Sequence, residues 1–345
     1  MAENWVGRDT LSEQSHHYVT RTSSTGTRVF LQADLVYRHE GEGWLDPDNR
    51  QNSMHVEEYR ASVGLATSNV VVEGDYYNSK REQFGGQITL HSRGDNSIKV
   101  RLSHIELRNM GQGMKLGKYP IHFHTIGNVD QSFVRGVSIR NSFNRAIAVH
   151  GVNHLRVQNC VTYDTRGHSV FLEDGTEMHN VIENNLVVVV RPVWSLLTVD
   201  QSPAAFWIVN PNNIVRGNVV AGSSHYGFWY RSLEHPDGVS GQEAVSECGT
   251  PCCQTKCPMW TPMGIFEDNV AHSTGKFGLK LTQYFPAENG YDCQKPTFSV
   301  PAHFRRFTAF FNNLFGIWGE NMVDVHFDEL TIVEHGIAAM EFIYT

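Results

Sequence analysis

The sequence predicts an all-β chain, a right-handed parallel β-helix with long inserted loops. Three observations predict it. A unit of the form apolar-x-x-x-Asn-apolar, a small-residue turn, then Gly-apolar-x-apolar recurs along the chain. It is seen in LRVQNCVTYDTRGHSVFLEDG (155–175), IVRGNVVAGSSHYGFWYRS (214–232) and IFEDNVAHSTGKFGLKLTQ (265–283). In FRRFTAFFNNLFGIWGEN (304–321) Phe307 replaces the Asn. Each unit holds short alternating β-branched or aromatic stretches split by Gly, Asn and Ser, the pattern of strands. No segment carries a three-turn amphipathic helix. Units of about 25 residues cannot close a core singly and must stack. A β-sandwich would need hairpins, and these strands are not joined by Asn-Gly two-residue turns. The Asn positions aligned by the repeat are 159, 185, 218 and 269. Their unequal spacing is read as loop insertion between rungs.

One strand of each rung can be set beside the next: GQITLH (86–91), YPIHFH (119–124), RAIAVH (145–150), HSVFLE (168–173), AAFWIV (204–209) and YGFWYR (226–231). Ile88, Ile121, Ile147, Val170, Phe206 and Phe228 share one column, and Leu90, Phe123, Val149, Leu172, Ile208 and Tyr230 another. Both are apolar and point inward, so the alternate positions point outward. His91, His124, His150 and Glu173 then form an outward ladder, with His122 beside it. Neutral imidazoles in adjacent rungs suit a divalent ion, zinc or similar, with calcium left open. The same groups also fit a metal-free acid/base site with Glu173, Asp174 and His168, or a purely structural ladder. Phe171, Trp207, Trp229 and Arg231 continue the outward face. Aromatics beside polar groups on a flat sheet suit sugar rings, unless inserted loops cover them. Asp75, in VVVEGDYY, is a turn residue and a weaker binding candidate.

Composition narrows the function classes. Charged residues make up 19% and apolar residues 40%, so the chain buries a core. The net charge is −8 with no Lys/Arg block, which argues against nucleic acid or an anionic membrane as partner. The longest apolar runs, 186–190 and 204–209, are too short to span a bilayer. The first ten residues show no secretory signal. Cys248, Cys252, Cys253 and Cys257 crowd a Gly/Pro/Ser-rich loop at about 234–262, with Cys293 further on. Their spacing is not that of a zinc ribbon, and disulfides are the first reading, ahead of a zinc knot or free thiols. Cys160 reads as a buried apolar residue.

YPIHFH, AVHG, GHSVFLEDG, FWIVNPNN, VAGSS, and GFWY followed by HPDG occur in order. From about Tyr59 onward the chain resembles the β-helix region shared by fibrocystin-L, the cell migration-inducing and hyaluronan-binding protein, and the related transmembrane hyaluronidase. Residues 1–58 resemble the end of that family's glycine-rich β domain, and 59–345 its β-helix. The chain departs at Gly85-Gly86-Gln87, where members often carry Gly-Gly-His. The resemblance implies an extracellular or cell-surface protein facing a polysaccharide. Two kinds of function follow. One is a glycan depolymerase, a hydrolase using Glu173 and Asp174 or a lyase in which a His takes the C5 proton while Arg231 neutralises a uronate. The other is a non-catalytic glycan- or partner-binding ectodomain module, or a spacer, of a large surface protein. The sequence leaves the oligomeric state open.

Overall fold

The computed structural model describes residues 19–22, 28–32, 34, 61–92, 97–194, 198–242, 256–288, 290 and 298–344. The chain divides into two compact units, a smaller one near the N-terminus, Ser12–Gly64, and a larger one that includes Leu65–Thr345. In the N-terminal unit, Val19–Thr22 pairs antiparallel with Val29–Leu31. The larger unit is the parallel β-helix expected from the repeat. Each full rung gives one strand to each of three parallel sheets, of nine, eight and nine strands. The sheet that carries the aligned columns consists of β1 (Ile88–His91), β2 (Ile121–Asn128), β3 (Ile147–Asn153), β4 (Val170–Leu172), β5 (Ala204–Ile208), β6 (Tyr226–Arg231), β7 (Phe277–Tyr284), β8 (Phe315–Met322) and β9 (Ala338–Ile343). No helix among the described residues is long and apolar enough to cross a membrane.

The register is the one the alternation demands. Ile88, Ile121, Ile147, Val170, Phe206 and Phe228 pair rung to rung, and Leu279, Ile317 and Met340 extend the column. From Ile121 to Ile317 these side chains are essentially fully buried. A one-residue slip would carry this whole set outward, which is why the core fixes the register so firmly.

Asparagine ladders satisfy the backbone at the turns. The N–H of Cys160 donates to Asn185 Oδ1, that of Asn185 to Asn218 Oδ1, and that of Asn218 to Asn269 Oδ1, at 2.9–3.0 Å. Each Asn amide also donates back to a carbonyl, Asn218 Nδ2 to Ile182 O at 2.8 Å. Here one expectation is corrected. Cys160, not Asn159, occupies the ladder slot, because Val161 pairs with Leu186. Asn159 is exposed and takes the turn's left-handed backbone, φ 54°. Asn218→Ala should therefore cost about 2–4 kcal/mol, since two buried backbone groups lose partners at about 1–3 each. Asn159→Gly, which breaks no ladder bond, should stay within about 0.5 kcal/mol. Urea unfolding of the two variants checks the assignment, and equal losses would contradict it.

The cysteine cluster falls largely outside the described residues, which include neither Cys248, Cys252, Cys253 nor Cys293; Cys257 is buried. Cys160 is a buried free thiol, as its surroundings in the sequence suggest.

Candidate functional site

The outward column of the sheet begins as an imidazole ladder. His91 pairs with His124 and His124 with His150, while His122 sits between Thr89 and Ala148. Immediately after His124 and His150 the backbone bulges through Thr125 (φ 48°) and Gly151 (φ 60°) before pairing resumes at Gly127 with Val152. Ring nitrogens of His122, His124 and His150 all lie within 4.8 Å of one another. His124 Nδ1 and His150 Nδ1 are 3.0 Å apart. His91 remains outside this group. It is exposed, with its Nδ1 3.1 Å from the His124 carbonyl oxygen.

The hydrogen bonds fix which nitrogens face inward to the cluster. His122 Nδ1 donates to the Gly117 carbonyl at 3.0 Å, which leaves Nε2 as a bare lone pair, buried and without a hydrogen-bond partner among the described residues. His150 Nε2 is 2.7 Å from Asp174 Oδ2, so its Nδ1 faces His124. Glu173 Oε2 lies 3.8 Å from His150 Nδ1 and is also buried without a hydrogen-bond partner. Three imidazoles thus bring ring nitrogens within 4.8 Å of one another, with Glu173 beside His150 and two buried acceptors left orphaned. Buried lone pairs of this kind cost free energy unless something occupies them.

Charge follows the same geometry. Burial pushes the His122 imidazolium down to about 4, with His124 and His150 adding to the shift. His124 is lowered by burial and then by His150 and His91. At His150 burial also opposes the charge, but the Asp174 hydrogen bond and the Glu173, Asp174 and Glu177 carboxylates outweigh it, raising the ring to about 9. Burial raises Glu173 to about 7 against the pull of Arg145 and His150.

A buried frame holds these groups. Arg145, fully buried, donates to Asp200 through Nε (2.9 Å) and Nη2 (2.8 Å) and to Tyr119 Oη through Nη1 (2.8 Å). Nη1 lies 3.7 Å from Glu173 Oε1, and the guanidinium stacks 3.7 Å over Phe171. Glu177 accepts from the N–H groups of Gly151, Asp174 and Gly175, clamping the turn behind the site. Arg145, Asp200 and Glu177 are not legible as site residues from strand alternation. Arg145 precedes its strand, while Asp200 and Glu177 lie in the segments between strands.

The expected glycan platform is corrected. Phe171, Trp207 and Trp229 do point outward, but they are 3%, 2% and 8% exposed. They form a second apolar core with Tyr119, Val199 and Leu233 from the inserted segments, which cover the sheet there. His168 is equally buried. Its Nδ1 accepts from Ala204 N–H at 3.0 Å and its Nε2 lies 3.6 Å from Asp200 Oδ1, placing it in the frame and outside the imidazole cluster. Asp174 is buried behind His150 and also accepts from Ser240 N–H at 3.1 Å. Arg231 is three rungs from His150, part-exposed, with Nη1 3.7 Å from Asp237. Asp75 accepts from Asn78 N–H at 2.6 Å and opens the five-residue helix Asn78–Glu82, a turn role.

Comparison with known proteins follows the same stretch of chain. Residues 83–279 match the family described as CEMIP beta-helix. The chain is 35% identical to mouse Fibrocystin-L over 337 residues, 88% of this chain and 8% of that protein. It is 35% identical to the human Cell surface hyaluronidase CEMIP2 over 263 residues, 64% of this chain and 18% of that protein. Against the mouse Cell migration-inducing and hyaluronan-binding protein it is 29% identical over 91% of this chain and 26% of that protein. The chain thus spans a small part of the length of these relatives.

Proposed function

Because the chain belongs to the CEMIP beta-helix family, we propose that it is an extracellular or cell-surface, glycan-active β-helix that depolymerises a hyaluronan-like acidic polysaccharide at a metal centre on its outer face. The observation that carries this reading is the gathering of His122, His124 and His150 within 4.8 Å, with Glu173 3.8 Å from His150 and two buried acceptors, His122 Nε2 and Glu173 Oε2, left orphaned. The names of the relatives, hyaluronidase and hyaluronan-binding protein, supply the polymer class.

His122, His124 and His150 would hold the ion. A nitrogen-rich donor set suits zinc or a similar ion, whereas calcium takes six to eight oxygens. An ion held there would supply Lewis-acid polarisation. Glu173 is the group placed to move a proton, because its Oε2 faces the cluster uncommitted while Arg145 steadies Oε1. Asp174 orients the His150 ring through Nε2, the carboxylate–histidine arrangement that fixes tautomer and direction. Its role is positioning rather than acid catalysis.

The burial of His122 and His150 favours one other reading, a binding module whose imidazole cluster is structural. The test is to incubate the purified chain with high-molecular-weight hyaluronan and follow polymer size, with chelator and then with zinc restored. Size loss that stops with chelator and returns with zinc supports the proposal. Ultraviolet absorbance of an unsaturated uronate would identify a lyase, and new reducing ends without it a hydrolase. Polymer retained at full length, with measurable binding, would select the module.

A further inference from the structure

The outer face of the sheet continues beyond the histidines into a second polar cluster. Lys280, on β7, stands in the column that runs His122, Ala148, Phe171, Trp207, Trp229. Its Nζ lies 4.0 Å from the ring centroid of Trp229, 4.6 Å from that of Tyr226 and 5.3 Å from that of Trp318. Two further cations stand nearby. Lys276 Nζ is 6.0 Å from the Tyr226 centroid, and the Arg231 guanidinium is 5.4 Å from that of Trp207.

This group is short of negative charge. Among the described residues Lys280 makes no ion pair, and the one carboxylate acting on it, Glu320, counts for less than the repulsion of Lys276. Burial first, then Lys276, hold its ammonium down to about 8, and Arg231 adds to the shift. The carboxylate facing Arg231, Asp237, is two-thirds exposed and 3.7 Å away. Ring quadrupoles stabilise such cations only in part. Two cations acting against a third, in a chain of net charge −8, mark a local exception to its overall electrostatics.

We propose that Lys280, with Arg231 and Lys276, forms an anion subsite that takes a uronate carboxylate of an acidic polysaccharide lying across the rungs. The inference rests on the glycan-active reading above and gives it a direction along the helix. Lys280 is four rungs from His150, about 19 Å at the ~4.8 Å strand spacing, so one polymer would span both sites. Trp318, half-buried and stacked on Phe277, presents an aromatic face beside the ammonium for the apolar face of a sugar ring. A bound carboxylate would relieve the cation–cation repulsion that the free protein carries.

The test is equilibrium binding, read by tryptophan fluorescence with chelator present so that the histidine cluster holds no ion. The probes are hyaluronan and carboxyl-reduced hyaluronan. The wild type should prefer the carboxylated polymer by about tenfold or more, the scale of one charge-assisted contact. Lys280→Met should remove most of that preference, and Lys280→Arg should restore it. Should Lys280→Met lose the β spectrum, Arg231→Gln serves in its place and should weaken the same preference. A Lys280→Met protein that keeps the full preference, or a wild type that binds both polymers equally, would overturn the subsite alone. A wild type that binds neither would overturn the glycan reading and the subsite together.

Discussion

Asp200→Ala should cost about 3–5 kcal/mol of stability, the largest loss expected from a single polar substitution in this chain. The reason is the state in which it leaves Arg145. That guanidinium has no solvent exposure, and Asp200 accepts from both Nε and Nη2. Removing the carboxylate strands a buried charge whose remaining partners are the neutral Tyr119 hydroxyl and Glu173, 3.7 Å away. Arg145 would then draw Glu173 out of its place beside His150, so polymer cleavage should fall along with stability. Asp200→Asn, which keeps the shape and one acceptor, should lose less. Urea unfolding gives both numbers. An Asp200→Ala protein within about 1 kcal/mol of wild type would show that the frame does not hold the charge as described.

His124→Ala should reduce zinc affinity by more than about 100-fold and abolish polymer cleavage, while the β spectrum stays unchanged. Substitution of a group that merely orients a ligand typically costs about 10–100-fold in affinity, so loss of a ligand itself lies beyond that range. His124 is the best of the three to remove, because it is only part-buried and its ring makes no hydrogen bond outside the cluster. Asp174→Asn supplies the contrast. It leaves all three imidazoles in place but weakens the hold on His150 Nε2, and should fall within the about 10–100-fold range. Titration of zinc against a competing chelator reads both variants. An unfolded His124→Ala protein would point instead to a structural ladder.

The sheet and its register were legible because alternation and rung stacking leave few choices. Ile121 and Phe123 face the core, so His122 and His124 face out, and Ile147 and Val149 impose the same on His150. The same logic places Glu173 next in line, where its N–H donates to the Val149 carbonyl and its carboxylate reaches His150.

Where the chain leaves the strands, that logic stops. Nothing periodic in the segments between strands reveals that Val199 and Leu233 pack against the cluster that holds Trp207 and Trp229, so outward-pointing aromatics read as exposed when they are buried. Asp200 and Glu177 escape notice for the same reason. The slip at Asn159 has a local cause, since Asn159 and Cys160 are adjacent and only strand pairing shows which of them takes the ladder slot.

His122, His124 and His150 should share one ion. Elemental analysis of the purified chain, after dialysis against a trace of zinc, tests it most directly. The wild type should hold about one equivalent of a zinc-class metal per chain and His124→Ala none. A wild-type chain that shortens hyaluronan while holding no metal would contradict it.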